Sequence, residues 1–144
     1  SDWKRRRFPG YRRAIQTIQA HGITVNGCFV LGLDGQGPEV FDQVLAFVRS
    51  TELFEVQITI LTPFPGTPLY DRLAGEGRLL APRDWRRCTL FDLTFRPQGM
   101  PGDELVERFR RLGAELYGDE MTRWRRERFK ERVRSRLLRE EEGR

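Results

Sequence analysis

The sequence predicts an α/β fold with a parallel sheet, and two strand patterns with the helical segments around them indicate this. Residues 24–31 (TVNGCFVL) form an almost unbroken apolar run, which is typical of a strand buried on both faces. Residues 54–61 (FEVQITIL) alternate between apolar and polar positions, with Val56, Ile58 and Ile60 on one face. A helical pattern precedes each run, and this order is typical of βαβ units whose outer face is covered by helices.

The two helical patterns have clear ends. The first covers Tyr11–His21, and Gly22 is predicted to end it, with His21 serving as a C-terminal cap. The second begins at Pro38 and runs to about Ser50, because a proline is well tolerated in the first turn of a helix. Their apolar positions recur at helical spacing: Ala14, Ile15 and Ile18 in the first, and Val40, Phe41, Val44, Leu45 and Val48 in the second.

Two strands cannot close a sheet or cover their own edges. We therefore expect this unit to be a fragment that needs neighbouring strands from outside the sequence. The opening residues, 1–7, also read as the interior of a longer protein.

The segment after the second strand is predicted to be a smaller, mostly helical region. A stiff loop with three prolines and a glycine spans 62–68 and leads to a short helix at 69–76. An extended, aromatic-rich segment across the sheet is expected at 84–97, an amphipathic helix at 103–117, and a weakly amphipathic one at 122–138. We place the boundary between the barrel end, residues 1–76, and this accessory region, residues 77–144, at the close of the short helix.

The polar faces of the two strands are the most informative pattern for function. Asn26 and Cys28 share one face of the first strand, and Gln57 and Thr59 share one face of the second. In a barrel these faces point inward, so Asn26, Gln57 and Thr59 are candidates for a polar, ligand-holding lumen. The alternative is that they form an exposed sheet face.

Composition excludes several classes of protein. Hydrophobic residues make up 38% and charged residues 33%, a balance typical of soluble globular proteins, and no apolar run approaches the roughly 20 residues of a membrane span. Cys28 and Cys88 match no metal-ligand or redox spacing, so we interpret them as ordinary thiols of a cytoplasmic protein. The sequence predicts no catalytic residue and no metal ligand.

Positive charge is concentrated at the two ends of the chain. The formal net charge is +5, and residues 123–139 hold nine cations against Glu127 and Glu131. This tail supports an alternative function as a basic nucleic-acid-binding module, since cations neutralise phosphates. No recognised binding motif or series of stacking aromatics accompanies it, and a solvated basic helix is the commoner explanation.

Two motifs carry a family resemblance. The pairing of GCFVLGLDG at 27–35 with ILTPFPGTPLYDRL at 60–73 resembles the C-terminal part of radical S-adenosylmethionine (SAM) enzymes, most closely the cobalamin-binding branch. EGRLL at 76–80, FRPQGM at 95–100 and DELVERFRRL at 103–112 resemble the small helical domain that follows the barrel in that branch. The resemblance covers roughly residues 11–126.

The resemblance implies a fold and a cofactor site. The fold would be a partial (β/α)6 barrel, of which this chain supplies the last two βα units. The ends of these strands would help to seat SAM, in keeping with ligands binding beyond the carboxyl ends of strands. The implied contacts are Val30, Gly32 and Leu33 after the first strand and Leu61, Thr62, Pro63 and Phe64 after the second.

The sequence also departs from the family in ways that limit its chemistry. The CxxxCxxC motif that holds the [4Fe–4S] cluster is absent, as is the preceding cobalamin-binding domain. The cluster and cobalamin are therefore expected in a parent enzyme only, and this chain alone is expected to be inactive. Its expected partner is the rest of the barrel, encoded upstream in the same gene or supplied as a separate chain in a split enzyme. The parent's substrate would be a small molecule of unknown identity.

Overall fold

The computed structural model describes residues 8–80 and 82–142, with side chains from residue 10 onward. The elements in chain order are α1 (Phe8–Ala20), β1 (Asn26–Leu31), α2 (Glu39–Thr51), β2 (Glu55–Ile60), α3 (Pro68–Gly75), a 3-10 turn (Trp85–Arg87), α4 (Gly102–Tyr117) and α5 (Asp119–Glu142). The basic residues before Phe8 lie outside the described part of the chain.

The two strands form a parallel sheet, as the sequence predicts. Glu55 N donates to Val25 O at 3.1 Å and Leu61 N donates to Leu31 O at 2.8 Å, so both ends of the ladder keep the same 30-residue offset. Within the described residues the sheet has these two strands and is not closed. The mixed α/β class is therefore confirmed, while membership of a partial barrel stays a prediction.

The predicted helices are present with small shifts at their ends. The first ends as expected, because Gly22 adopts a positive φ of 78° and His21 Nδ1 donates to Thr17 O at 2.8 Å. Thr67 caps α3, its hydroxyl accepting from Tyr70 N at 3.3 Å, and Pro68 follows it in the first turn.

The prediction of an extended segment over 84–97 is wrong for most of its length. Trp85–Arg87 forms a 3-10 turn, and over the described residues the segment forms no strand, only an isolated antiparallel bridge between Leu79 and Phe95. Thr89 breaks the extended course because its hydroxyl accepts from both Phe91 N and Asp92 N and donates to the Asp92 carboxylate at 2.7 Å.

The described residues divide into two compact units. The first unit contains 8–27, 44–57 and 114–142, and its core includes Val48, Leu53 and Leu116, each at most 1% exposed. Here α1 packs against α5. The Gln19 side chain, fully buried, donates to Glu52 O at 2.9 Å and accepts from Phe54 N at 2.8 Å, so it joins α1 to the turn that precedes β2.

The second unit contains 28–43, 58–80 and 82–113, including the carboxyl-terminal halves of both strands. Its core is formed by Leu31, Ile58, Ile60, Leu73, Phe95 and Leu105, each at most 1% exposed. Ile60 N donates to Leu90 O at 2.7 Å, so residue 90 covers part of the outer edge of β2. The predicted boundary at residue 76 between barrel end and accessory region remains a prediction.

Candidate functional site

The residues implied to contact SAM lie together in the second unit. Val30–Leu33 leave the end of β1, and Leu61–Phe64 leave the end of β2. The hydrogen bond from Leu61 N to Leu31 O holds the two ends in register. The structure therefore places the seven predicted residues on two neighbouring segments at the same edge of the sheet, the edge at which α/β folds bind ligands.

Three apolar side chains at this edge are exposed. Val30, Leu33 and Phe64 each retain 42% of their accessible surface. Leu61 is half-buried, and Thr62 and Pro63 are buried. Exposed apolar groups at strand ends are suited to contact a planar, largely apolar ring such as adenine.

Gly32 fits its position because of both its backbone and its surroundings. Its φ is +90°, a region that favours glycine, and an added Cβ would lie 3.0 Å from Leu105 Cδ1 and 3.3 Å from Phe95 Cζ. The end of β1 thus packs directly on α4 and on Phe95. Its role in this site is to allow close packing.

The loop after β2 offers hydrogen-bond acceptors. Thr62 Oγ1 donates back to Ile60 O at 3.1 Å, and Thr67 Oγ1 donates to Phe64 O at 2.6 Å. Among the described residues, no backbone donor pairs with the carbonyl oxygens of Leu61, Thr62 or Pro63. These three consecutive acceptors fit the exocyclic amino group of adenine, which is a donor, so the residues present are chemically compatible with SAM.

Asp34 forms an ion cluster next to the end of β1. Its carboxylate is 2.7 Å from Arg78 Nη2 and 2.9 Å from Arg72 Nη1, and Arg78 Nη1 also lies 2.7 Å from the Glu76 carboxylate. The hydrogen bond from Arg78 lowers the pKa of Asp34; burial opposes this, and the charges of Arg78 and Arg72 add to the lowering. A paired carboxylate with a lowered pKa is a poor proton acceptor, so we assign Asp34 no role as a general base.

The polar face of each strand is the more exposed one, so β1 is not buried on both faces as its apolar run predicts. Asn26, Cys28 and Gln57 are exposed, Thr59 is half-buried, and Val56, Ile58 and Ile60 on the opposite face of β2 are buried. Asn26 and Gln57 belong to the first unit, and Thr59 belongs to the second, where its hydroxyl donates to Phe29 O at 3.5 Å. Their placement in a barrel lumen stays a prediction.

One face of the basic tail packs within the first unit, while the rest of the helix is exposed, as expected for a solvated basic helix. In the first unit, Arg126 stacks 3.8 Å from the Phe54 ring centroid and pairs with Glu55 at 2.6 Å, and Phe129 lies 4.7 Å from Phe54 between ring centroids. Arg125 is 3% exposed and donates to Leu116 O at 3.0 Å. These contacts use one face of α5 for packing, which its sequence pattern conceals because arginines provide much of that face.

Glu52 is the centre of this packing. It pairs with Arg128 at 2.9 Å and with Arg132. Burial raises the pKa of Glu52, but the hydrogen bonds and charges of Arg132 and Arg128 outweigh it and leave the pKa below its ordinary value. Several tail cations are therefore neutralised within the chain, which reduces the charge available to phosphates and weakens the nucleic-acid hypothesis.

The remaining observations concern cysteines, metals and membranes. Cys28 is exposed and Cys88 half-buried, and they form no disulfide with each other. Over 8–80 and 82–142, no group of three His, Cys, Asp or Glu side chains could hold a metal ion. No helix in that same part of the chain is long and apolar enough to cross a membrane.

Comparison with known families decides the assignment. Residues 67–143 match the model of the family described as "Domain of unknown function (DUF4070)". The chain belongs to this family. The DUF4070 match covers all of α3, α4 and α5, together with the segment that packs on Gly32.

Curated relatives of this DUF4070 protein are named as methyltransferases or methylases. Bacteriochlorophyllide d C-12(1)-methyltransferase of Chlorobaculum tepidum is 27% identical over 77% of this chain and 24% of its own length. Hopanoid C-2 methylase of Rhodopseudomonas palustris is 32% identical over 74% of this chain and 19% of its own length. Bacteriochlorophyllide d C-8(2)-methyltransferase of C. tepidum is 26% identical over 60% of this chain and 19% of its own length.

These matches confirm the recognition of the chain as resembling the C-terminal part of radical SAM enzymes of the cobalamin-binding branch. The chain spans about a fifth to a quarter of the length of the curated relatives it matches.

Sequence reasoning missed two residues of this region, Gln36 and Arg78. Gln36 sits in a glycine-rich linker that predicts only a loop, and Arg78 is one of many arginines. No motif or regular spacing in the sequence points to either residue, because their contacts are formed only in the folded protein.

Proposed function

We propose that this chain forms the carboxyl-terminal portion of a cobalamin-dependent radical SAM methyltransferase and supplies one edge of its SAM site. The observation that carries the proposal is the bond from Leu61 N to Leu31 O, which aligns the β1 and β2 ends, together with the exposure of Val30, Leu33 and Phe64 at these ends. The names of the relatives support methyl transfer as the reaction.

Each part of this edge has a defined role in the proposal. Val30, Leu33 and Phe64 would contact the adenine by apolar burial, and the carbonyls after β2 would accept from its amino group. Gly32 would allow the β1 end to pack on Leu105, and the proline loop would hold the acceptors in place without induced motion.

The remaining chemistry is assigned to other parts of the parent. The cluster and cobalamin would supply electron transfer and methyl transfer, and their ligands would come from outside these 144 residues. Asn26, Gln57 and Thr59 would face the substrate from the polar side of the two strands. The rest of the barrel would be joined in one protein or assembled from a separate chain.

The test is SAM binding by the complete barrel, in which this chain is joined or combined with the cluster-bearing portion. Val30→Arg or Leu33→Arg should weaken the Kd for SAM by about tenfold or more, because about 1.4 kcal/mol of binding free energy corresponds to a factor of ten. The matched control is Ile23→Arg, which changes an apolar side chain that is 59% exposed in the first unit. Equilibrium dialysis with labelled SAM gives the measurement.

Unchanged affinity in both variants would contradict the proposed edge while leaving the family assignment intact. Equal weakening by Ile23→Arg would point to a general effect of added charge.

A further inference from the structure

The Gln36 side chain ties together the residues that leave β1. Its Oε1 accepts from Gly32 N at 2.9 Å and from Leu33 N at 3.1 Å, and its Nε2 donates to Val30 O at 3.2 Å. The amide orientation follows from chemistry, since two N–H donors need the oxygen and a carbonyl needs the nitrogen. A single side chain thus bonds to the backbone of three residues of the candidate site, Val30, Gly32 and Leu33.

These hydrogen bonds replace the ladder at the point where it stops. β1 ends at Leu31, and Gly32 turns away with a positive φ, so the following backbone has no neighbouring strand to hold it. Within the part of the chain that the structure describes, a further backbone bond in this turn is from Gln36 N to Leu33 O at 3.0 Å. Without the side chain, three polar backbone groups would lose their protein partners and the turn would gain alternative conformations.

The occupied backbone groups also define how a ligand can contact this side of the site. Gly32 N, Leu33 N and Val30 O are engaged by Gln36, whereas the Val30 and Leu33 side chains are exposed. Contact from the β1 side is therefore through apolar side chains: Val30 at the end of the strand, and Leu33, whose direction depends on the turn that Gln36 holds.

The backbone of Gln36 is itself buttressed by the segment before α4. A Cβ placed on Gly99 would lie 1.9 Å from Gln36 O, so the two backbones are in direct contact and no side chain fits between them. Gly99 belongs to the DUF4070-matched part of the second unit. The backbone at Gly99 therefore supports the backbone of Gln36, and the Gln36 side-chain amide in turn holds the end of β1.

We infer that Gln36 is a positioning residue for SAM: through Val30, Gly32 and Leu33 it sets the apolar surface on which the adenine would rest. The inference depends on the proposed function, because it deepens the description of the same site. A positioning role predicts weaker affinity for SAM at binding sites that remain folded. A purely structural role predicts fewer folded sites with unchanged affinity.

Three variants in the complete, cluster-bearing barrel test this inference. Gln36→Ala removes all three hydrogen bonds, and the Kd for SAM should rise about tenfold while the number of binding sites per protein stays unchanged. Gln36→Glu keeps the acceptor for Gly32 N and Leu33 N but loses the donor to Val30 O, so it should recover part of the affinity. Leu112→Ala, in the core of the same unit, is the stability control.

The site count separates the possible outcomes in a SAM titration. Positioning raises the Kd at constant stoichiometry, whereas partial unfolding lowers the stoichiometry at constant Kd, as expected for Leu112→Ala. An unchanged Kd in Gln36→Ala, or a glutamate variant no better than the alanine variant, overturns the inference. If the unsubstituted barrel binds no SAM, the proposed function itself fails, so the two failures are distinguishable.

Discussion

Arg78 shows how one side chain can join distant parts of the second unit. Its side chain is 11% exposed, and its Nε donates to Arg96 O at 2.8 Å while its two terminal nitrogens bind Asp34 and Glu76. Because 44 residues separate Asp34 from Arg78, breaking this pair should loosen the linker after β1 from the segment after α3.

The Asp34 pair should give the unit a pH-dependent stability. Since the pKa of Asp34 is lowered in the folded state, its contribution is fully present above the ordinary aspartate pKa of about 3.9 and is lost as pH falls through the lower folded value. Asp34→Asn should cost about 0.5–1 kcal/mol at pH 7, because solvent screens this partly exposed ion pair. Urea unfolding from pH 7 to pH 3 should show this difference shrinking with acidification.

Glu107→Gln, on the exposed side of α4, is the matched control and should show little difference at any pH. A cost of Asp34→Asn that stays constant down to pH 3 would show that the ionised pair does not produce it.

Thr94 offers an opposite effect, a gain of stability. Its side chain is 5% exposed, and Oγ1 has no hydrogen-bond partner among the described residues. Thr94→Val should therefore stabilise the protein by about 1 kcal/mol, because a buried unsatisfied hydroxyl costs about 1–3 kcal/mol. Thr62→Val is the matched control: Thr62 is equally buried but bonds Ile60 O, so its substitution should destabilise. Differential scanning calorimetry would show the two shifts in Tm, and shifts of the same sign would contradict this account.

Residue-level features were the least predictable from sequence. The glycine-rich linker at 32–37 predicts a loop, but the bonds of Gln36 to three backbone groups depend on where β1 stops. His21 was predictable because a helix C-terminus next to glycine is a local signal.

At the scale of elements, regular periodicity gave reliable predictions. The strands predicted at 24–31 and 54–61 are observed as Asn26–Leu31 and Glu55–Ile60, and the helix predicted at 103–117 as Gly102–Tyr117. The prediction for 84–97 was wrong because Leu90 adopts a φ of 71°, and a leucine in a sequence gives no indication of this left-handed conformation. Aromatic residues there suggested a strand, while the Thr89 turn determines the actual path.

The packing of α5 could not be predicted from its own sequence. Its partners, Glu52, Phe54 and Glu55, lie more than 70 residues earlier. Glu52 follows the last residue of α2 with a φ of 55°, a conformation that normally favours glycine at a helix end. In this conformation the Glu52 carboxylate pairs with Arg128 and Arg132.

Phe129 should contribute most of the apolar stabilisation at this contact. Phe129→Ala is expected to lower the free energy of unfolding by about 2 kcal/mol, less than for a fully buried phenylalanine because Phe129 is half-buried. Leu137→Ala, on the same helix but 52% exposed, should cost less than about 0.5 kcal/mol. Chemical denaturation of both variants is the measurement. Equal costs would show that α5 is held mainly by features other than the Phe54–Phe129 contact.

At the scale of the whole molecule, charge and exposed apolar surface lead to different expectations about partners. The nine cations of residues 123–139 suggest an anionic partner, but Glu52 and Glu55 pair with part of this basic tail. The apolar side chains at the strand ends, Val30, Leu33 and Phe64, stay exposed because no other part of the described chain covers them fully. We therefore expect the principal partner to be polypeptide that completes the sheet, which agrees with relatives four to five times longer than the matched region.

The last prediction is that the isolated chain associates and that supplying the rest of the barrel prevents this. The observed sheet has two strands, and Val30, Leu33 and Phe64 are exposed at its carboxyl edge. Gln36 and Leu90 cover the ends of the two strands at Val30 and Ile60, so association should occur through the apolar edge and the remaining strand surface. Size-exclusion chromatography with light scattering should detect oligomers at micromolar concentration, and unfolding should have low cooperativity.

Co-expression with a chain that supplies the first four strands should shift the protein to a single defined complex. Val30→Asp is the matched variant: if the apolar edge drives association, this added charge should reduce oligomer formation by the isolated chain. A monodisperse monomer with a sharp two-state transition would contradict the prediction. In that case β1 and β2 would belong to a small domain that is stable by itself, because the exposed apolar edge would then not require covering.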